Sequence, residues 1–571
     1  MSQPAHRRAE NHRLDGLRHR RRTFGLALTI VATFGLLAGQ LVRHGLAERP
    51  VVTMASARPI THGWARPDIL DRRGRVLATD VARPSLFADP ALIVDVDEVI
   101  AFLAPIFPTI EWRAMRDRLD NRARRFVWIA RGLDADVAGR IAALGLPGLA
   151  FRDELQRRYP AGALTAHTVG HVDIDNDGKA AAEIFLQEVI GVDPADDARR
   201  SARPPVHLTL DLGVQHVVAG ELSAAMAATG ARAAAGLIMD ARTGALLASV
   251  SLPSYDPHTP AKPRDASGSG AQSTHAAAPQ AQRADGSVNR LALARYELGS
   301  VMKPLVIAAA LDTGAVTPLA RIDTRAALTR DDFTITDPPR VAGKLSLEDV
   351  FTRSSNVGAA TLALNLGEEK LLAAFSRLGV TGRLLTELGR GPHARLPKPW
   401  RDVNTMTAGY GYGVATTPLQ LAAATASLIN GGHAVQPHVV RTSLLPPPRR
   451  VLRPETSAEL RRYFRANVAR GTGVRARVPG YDVGGKTGTA LRATAGGYDA
   501  ERTITSFVGA FPMVAPRYVT LAVLFEPKRP LAADATGSAD ASTTAAPLTA
   551  RIVRRAAPML GIAPRRQRSD G

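Results

Sequence analysis

Residues 296–304 read YELGSVMKP, and Ser300 in this stretch is followed three residues later by Lys303. The apolar residues after Ser300 predict a buried helix, and two side chains three residues apart share one helical face. A neutral amine one turn away can take the proton of a serine hydroxyl, so the pair predicts an activated nucleophile. Ser300 is the only serine with a lysine three residues further on, although a chance pairing remains an alternative for this motif alone.

Two further stretches complete a motif set. Residues 354–356 read SSN within FTRSSNVGAA, and residues 486–489 read KTGT within DVGGKTGTA. S-x-x-K, S-x-N and K-T-G in this order form the motif set of acyl-serine enzymes that act on penicillins and D-Ala-D-Ala peptides. Lys303 and Lys486 are two of only eight lysines. Arginine is abundant but cannot become a neutral base, so coincidence is now the weaker interpretation.

Length and composition limit the classes of protein that remain. A chain of 571 residues is too long for one ordinary core, so two or more domains are expected. The formal net charge is +21, but the sequence carries no nucleic-acid-binding motif, so no nucleic-acid partner is expected. A basic exterior suits an anionic membrane surface or an acidic polymer such as a cell wall. Without cysteine, disulfides and thiolate metal sites are excluded.

The N-terminal region predicts a membrane anchor. Residues 1–22 carry seven arginines, and residues 23–42 are twenty residues without a charge, which matches the thickness of a bilayer core. A cleaved signal peptide and a buried helix are the alternatives. The apolar run is long for a signal peptide, and no clear cleavage site follows it. We therefore predict a basic cytoplasmic tail over 1–22 and a single span over 23–43, with the rest of the chain outside the inner membrane.

The rest of the chain predicts two domains of α+β class. Residues 44–205 have the mixed pattern of a loop-rich domain, in which residues 173–178 imitate a calcium loop. The closing Glu183 comes one position early, so we predict no metal. A second domain is predicted over 206–571, with Asp211 capping a helix and a hairpin that turns at Gly244. Strands and helices alternate there, which favours a mainly antiparallel sheet covered by helices. Low-complexity stretches near 258–288 and 532–545 are predicted to be disordered.

With these motifs in hand, the chain resembles the class B penicillin-binding proteins, and most closely their division-specific (septal) peptidoglycan D,D-transpeptidases. Residues 66–80 and 157–183 resemble segments of the non-catalytic pedestal of that family. The family usually has proline where this chain has Leu298, which concerns loop rigidity more than chemistry. The resemblance implies a five-stranded sheet between two helical clusters. It also implies an active site along the edge strand that carries KTGT.

The resemblance also implies a role for each motif residue. Ser300 is the nucleophile, Lys303 is its general base, Ser354 relays a proton and Asn356 binds the substrate backbone. Lys486, Thr487 and Thr489 bind the terminal carboxylate, and Gly488 completes that motif. The backbone N–H groups of Ser300 and Thr489 form the oxyanion hole. No cofactor is implied.

The implied partners are peptidoglycan stem peptides, β-lactams, a membrane-embedded glycan polymerase and other division proteins at the septum. Three other functions remain open. An elongation-specific class B transpeptidase shares every motif. A serine β-lactamase or β-lactam sensor shares the three catalytic motifs, but a hydrolase has no need of an anchor and a pedestal. A non-catalytic division scaffold is disfavoured, because Ser300, Lys303 and Lys486 are all intact.

Overall fold

A computed structural model describes residues 66–188, 204–260, 286–442, 447–494, 497–534 and 537–565, together with Ala32, Thr33 and Gly35. The chain divides into two compact units, Met1–Gly63 and Trp64–Gly571. The predicted tail over 1–22 and anchor over 23–43 lie outside the described residues, apart from the three named, which are helical. Within the described ranges, no helix is both long enough and apolar enough to cross a membrane.

The pedestal (residues 66–188) is built on a five-stranded sheet, which a short strand from residues 206–207 completes. The order is β3–β2–β1–β5, and β4 also pairs with β2. All pairings are antiparallel except β1 with β5. The strands are β1 (Ile69–Leu70), β2 (Val76–Ala88), β3 (Val127–Ala130), β4 (Leu149–Arg158) and β5 (Val206–His207). The helices are α1 (Val96–Leu103), α2 (Trp112–Leu119), α3 (Ala135–Ala143), α4 (Ala166–Val169) and α5 (Ala181–Glu188).

A buried ion cluster joins the start of the pedestal to its end. Glu183 Oε2 lies 2.8 Å from Arg66 Nε, and Glu183 Oε1 lies 2.7 Å from Arg157 Nε. Arg157 also contacts Asp80 at 3.1 Å. The side chains of Arg66, Arg157 and Glu183 are fully buried, so each charge depends on its partners for the solvation that it has lost.

In the segment that imitates a calcium loop, residues 173–178, the negative charge of the aspartates is balanced by Lys179. Lys179 Nζ lies 2.8 Å from Asp173 Oδ2 and 3.7 Å from Asp177 Oδ2. Among the described residues, no group of three or more histidine, aspartate or glutamate side chains is arranged to hold a metal ion.

The remainder of the second unit is organised on an antiparallel sheet of five strands in the order β14–β15–β16–β6–β7. These strands are β6 (Ala233–Asp240), β7 (Leu246–Leu252), β14 (Gly484–Thr494), β15 (Gly497–Phe511) and β16 (Tyr518–Phe525). Three small two-stranded sheets lie between β7 and β14 in sequence. They consist of β8 (Arg321–Asp323), β9 (Leu328–Arg330), β10 (Phe333–Ile335), β11 (Lys344–Ser346), β12 (Leu385–Thr386) and β13 (Gly389–Arg390).

Helices cover both faces of this sheet. They are α6 (Leu212–Thr229), α7 (Lys303–Asp312), α8 (Leu347–Thr352), α9 (Asn356–Arg377), α10 (Asp402–Ala408), α11 (Pro418–Ile429), α12 (Pro454–Arg470) and α13 (Ala545–Met559). Neighbouring residues of β6 face opposite sides, as a strand requires. Leu237 packs into the core that contains α7, α11 and α12, and Ile238 into the core that contains α6 and α13. The predicted antiparallel sheet between two helical clusters is confirmed, and β14 is an edge strand.

Local predictions in this region are also confirmed. Asp211 caps α6 by accepting hydrogen bonds from the N–H groups of Gly213 and Val214. β6 and β7 form the expected hairpin, with Gly244 at a φ of +83° in its turn. Only a residue without a Cβ adopts that φ at little cost.

The predicted disorder over residues 532–545 is wrong for most of that stretch. Leu531 N and Ala532 N both donate to Thr543 O, and Ala541 and Ala545 are buried against Phe507. This close packing requires small side chains. A segment of small residues also looks like a low-complexity linker, so its composition does not reveal that it is ordered. Of the other predicted loop, over 258–288, residues 261–285 lie outside the described residues, and Val288 at its end is buried.

Candidate active site

Ser300 lies in a short 3₁₀ helix, Gly299–Met302, which leads directly into α7. Gly299 has a φ of +61°, and a Cβ there would lie 2.7 Å from the carbonyl oxygen of Thr489. The turn and β14 therefore touch backbone to backbone, which no other residue type at 299 permits. Ser300 is half-buried, and its hydroxyl makes no hydrogen bond with any other residue that the structure describes.

Lys303 is the first residue of α7 and is fully buried. Its Nζ donates to Ser354 O at 2.5 Å, to Ser354 Oγ at 3.1 Å and to Asn356 Oδ1 at 2.7 Å. Burial lowers the pKa of Lys303 well below its usual value, and the charge of Lys486 lowers it further, while Asp337 opposes both effects. The amine is therefore neutral in a pH range where an exposed lysine is charged.

Lys486 approaches the same hydroxyl from β14. Its Nζ donates to Ser354 Oγ at 3.0 Å and to Thr487 O at 2.9 Å. The side chain is fully buried, and burial lowers its pKa to about 7. Thr487 is fixed in turn by a 2.7 Å hydrogen bond between its hydroxyl and that of Thr472.

Ser354 occupies an unusual backbone conformation at the centre of this cluster. Its φ of +61° is left-handed, which is uncommon for a residue with a side chain and is found mostly where the surroundings enforce it. In this position its hydroxyl lies between the two lysine amines, while its carbonyl oxygen also accepts from Lys303.

Asp337, which the motif search did not identify, holds the segment after Ser354. Its carboxylate accepts hydrogen bonds from the Ser355 hydroxyl, from Asn356 N at 2.8 Å and from Val357 N at 3.3 Å. These N–H groups open α9, where an anion is favoured by the helix dipole. Asp337 stands in the sequence ITDPPR, far from every motif, so only its position in the fold reveals it.

The last motif residues line the edge strand beside Ser300. A Cβ at Gly488 would lie 2.7 Å from Leu298 O, so glycine is needed for β14 to lie against the turn. The Thr489 hydroxyl accepts from Ala541 N at 3.0 Å, which ties this strand to the segment around Ala541. Thr489 is exposed, whereas Thr487 is buried.

The structure therefore brings together side chains from three separate stretches of sequence. Lys303, Ser354, Asn356 and Lys486 are joined by direct hydrogen bonds, and Thr487 is bonded to Lys486. The turn that contains Ser300 is held against Gly488 and Thr489 by the two glycine contacts. A serine hydroxyl beside the neutral amine of Lys303, with the buried cation of Lys486 close by, is suited to acyl transfer from a substrate that carries a carboxylate.

Comparisons with known proteins identify both domains of the chain. Residues 64–188 match the penicillin-binding protein dimerisation domain, and residues 234–553 match the penicillin binding protein transpeptidase domain. The chain is 34% identical to the probable peptidoglycan D,D-transpeptidase FtsI of Caulobacter vibrioides, over 87% of this chain and 82% of that protein. It is 30% identical to the probable peptidoglycan D,D-transpeptidase PenA of Neisseria gonorrhoeae, over 83% and 82%.

A solved structure supports the same fold. The crystal structure of penicillin binding protein 3 from Mycobacterium tuberculosis in complex with ampicillin covers 89% of this chain and 98% of its own, with a TM-score of 0.65 and 21% identity. From the two matched domains and the relatives together, the chain belongs to the class B penicillin-binding proteins, a family of serine D,D-transpeptidases.

Proposed function

We propose that this chain is a septal peptidoglycan D,D-transpeptidase that cross-links stem peptides through an acyl-enzyme on Ser300 and is a target of β-lactams. The observation that carries the proposal is the Ser354 hydroxyl, which contacts two fully buried lysine amines, and one of these, Lys303, lies one turn after the proposed nucleophile. Buried amines with lowered pKa values are characteristic of acid–base sites and are costly elsewhere in a protein.

In the proposed acylation, Ser300 Oγ attacks the carbonyl between the two terminal D-alanines, and its proton passes to the neutral Lys303 Nζ. The hydroxyl of Ser300 turns toward that amine as substrate binds, since catalytic hydrogen bonds often form only in the complex. With Lys303 neutral and Lys486 charged, Ser354 Oγ accepts from Lys486, and the lone pair of Lys303 Nζ is left for the Ser300 proton. The same hydroxyl then relays a proton to the departing D-alanine amine.

Substrate recognition is assigned to the edge strand. Lys486, Thr487 and Thr489 bind the terminal carboxylate, with Gly488 keeping the strand against the nucleophile turn. Asn356 holds the substrate backbone. The N–H groups of Ser300 and Thr489 bind the oxyanion, a contribution commonly worth about 3 kcal/mol per donor. An amine from a neighbouring stem peptide then attacks the acyl-enzyme, which forms the cross-link and frees Ser300.

Labelling with a fluorescent penicillin tests the chemistry. Wild-type protein should become covalently labelled, and Ser300→Ala should fold but take up no label. Ser376→Ala, at an exposed serine near the end of α9, is the matched control and should label like wild type. Labelling that persists in Ser300→Ala, with the adduct mapped to another residue, overturns the assignment.

The septal role is proposed from sequence analogy. The stretches SFVGAFP and RYVTLAVLFEP are closer to the septal type by analogy, and the relatives include FtsI proteins as well as PenA. We propose in addition that residues 23–43 anchor the protein in the inner membrane, with the catalytic domain periplasmic. No stretch between the anchor and residue 206 resembles a glycosyltransferase, so a separate membrane-embedded polymerase is the proposed partner.

Depletion in cells tests this role. Filaments without septa, with the protein concentrated at midcell, are the expected result. Round or swollen cells, with the protein spread along the side wall, would instead assign the elongation role.

A further inference from the structure

A cavity of about 130 Å³ lies at one end of the five-stranded sheet β14–β15–β16–β6–β7. Neither Lys303 nor Lys486 lines it. Its walls include Tyr296 and Glu297, just before the nucleophile turn, and residues 491–493 near the end of β14. Ala233 at the start of β6 and Phe525 at the end of β16 also line the cavity. None of the proposed catalytic side chains lines it, so this cavity has no role in the acylation described above.

Cationic groups dominate the lining. Five arginines and two glutamates contribute to it, namely Arg232, Arg290, Arg295, Arg395, Arg492, Glu297 and Glu526. Both carboxylates have partners: Glu526 forms an ion pair with Arg492, and Glu297 accepts a 2.9 Å hydrogen bond from Tyr498. Burial also raises the pKa of Glu297, so this carboxylate is less ionised than an exposed glutamate at pH values near the usual glutamate pKa. The two acids therefore leave an excess of positive charge in the cavity.

Two of these arginines retain their full hydrogen-bonding capacity. Arg295 donates to His393 O, but the side chains of Arg232 and Arg395 donate no hydrogen bond to any residue in the described part of the chain. Both side chains are exposed, so water alone can accept their hydrogen bonds. On their own, they would therefore indicate only a basic surface.

Tyr296 is the second and independent observation. Its ring packs against that of Phe525 with 4.8 Å between centroids and a tilt of 50°, and the residue exposes only 7% of its surface. Its hydroxyl is buried and has no hydrogen-bond partner among the described residues. Buried hydroxyls without a partner are rare in folded proteins, because the lost hydration is then not replaced.

We propose that this cavity binds a small oxyanion, either a carboxylate or a phosphate, through the guanidinium groups of Arg232 and Arg395 and the hydroxyl of Tyr296. All three groups can donate hydrogen bonds, two carry positive charge, and guanidinium groups match the geometry of both anions. The cavity is large enough for such a group. Carboxylate groups of peptides and inorganic phosphate are the two sources of this chemistry.

Thermal unfolding of the full chain in acetate, phosphate or chloride tests the proposal, at one pH and one ionic strength. A saturable rise in the midpoint with acetate or phosphate, beyond that in chloride, is the expected result. The more effective of the two anions identifies the source. Because none of these measurements uses acylation of Ser300, their failure leaves the transpeptidase proposal untouched.

Variants locate the effect. Arg232→Gln and Arg395→Gln should each weaken the apparent anion affinity about tenfold, and Tyr296→Phe should weaken it severalfold. Arg551→Gln, at an exposed position of α13 beside the opposite core, is the matched control and should respond like wild type. The proposal is overturned if chloride gives the same rise, or if Arg232→Gln and Arg395→Gln keep the wild-type response.

Discussion

Lys303 and Lys486 share one hydrogen-bond partner, since their Nζ atoms lie 3.1 Å and 3.0 Å from the hydroxyl of Ser354. Two ammonium groups that are both fully buried and this close repel each other, and little water remains to screen them. One amine is therefore favoured as neutral while the other holds the charge. This division of charge between two identical side chain types underlies the first two predictions.

Replacing Lys303 or Lys486 with arginine should show which of the two acts in acylation as a base and which acts only as a positive charge. Lys303→Arg should reduce penicillin acylation about 100-fold or more, because arginine cannot accept the Ser300 proton. Lys486→Arg should be milder, because a guanidinium can still pair with a carboxylate. Acylation rates measured by labelling check the pair. Equal rates in the two variants would show that Lys303 is not the base.

The second-order rate constant of acylation should depend on pH in a bell shape. Lys303 must be neutral, so the rate rises with pH through its lowered pKa. Lys486 must be charged to attract a carboxylate, so the rate falls as pH rises above its pKa of about 7. This rate constant reports on groups of the free enzyme. Lys486→Arg is the internal control, because its falling limb should move beyond the accessible range. A falling limb that is identical in both proteins would contradict the assignment.

Asp337→Asn should change the chemistry as well as the stability. Losing a charged acceptor for the Ser355 hydroxyl and the first N–H groups of α9 should slow acylation about tenfold. Asp337 raises the pKa of Lys303, so its neutralisation should also move the rising limb of the pH profile to lower pH. Asp332→Asn, at an exposed position nearby, is the control. A slower rate with no displacement of that limb would leave Asp337 a structural role only.

Removing the charge of Glu183 should destabilise the pedestal strongly. Glu183→Gln leaves Arg66 and Arg157 buried without their shared carboxylate, a change that typically costs about 3–5 kcal/mol. The exposed pair of Arg83 with Asp134 provides the comparison, and Asp134→Asn should cost less than about 1 kcal/mol. Urea denaturation curves measure both. Similar midpoints for the two variants would mean that the buried cluster is not stabilising.

The sequence predicted those parts of the protein that depend on local pattern. Alternating apolar residues and the turn at Gly244 indicated the β6–β7 hairpin, and Asp211 indicated the start of α6, because these signals lie within a few residues of their effect. The three motifs also indicated which residues would meet, through the resemblance that they carry. Their catalytic roles stay predictions until acylation is measured.

Features that depend on distant contacts were not predictable from pattern. Asp337 accepts hydrogen bonds from residues about twenty positions later, beyond one short strand and one helix, and no periodicity marks it. The ordered stretch around Ala541 was missed because its small residues resemble a linker. Their order comes from Phe507 and Thr489 on the sheet. The unpartnered hydroxyl of Tyr296 likewise appears only when the ends of several strands are assembled.

The backbone contacts at Gly299 and Gly488 restrict how such an enzyme can escape an antibiotic. Adding even one methyl group at either position would drive it against a carbonyl oxygen at 2.7 Å and separate β14 from the turn that bears Ser300. The separation would exclude the drug and the natural peptide alike. Selection for resistance must therefore act on residues around this contact rather than on the contact itself. The two glycines therefore make this backbone contact the part of the site least free to evolve.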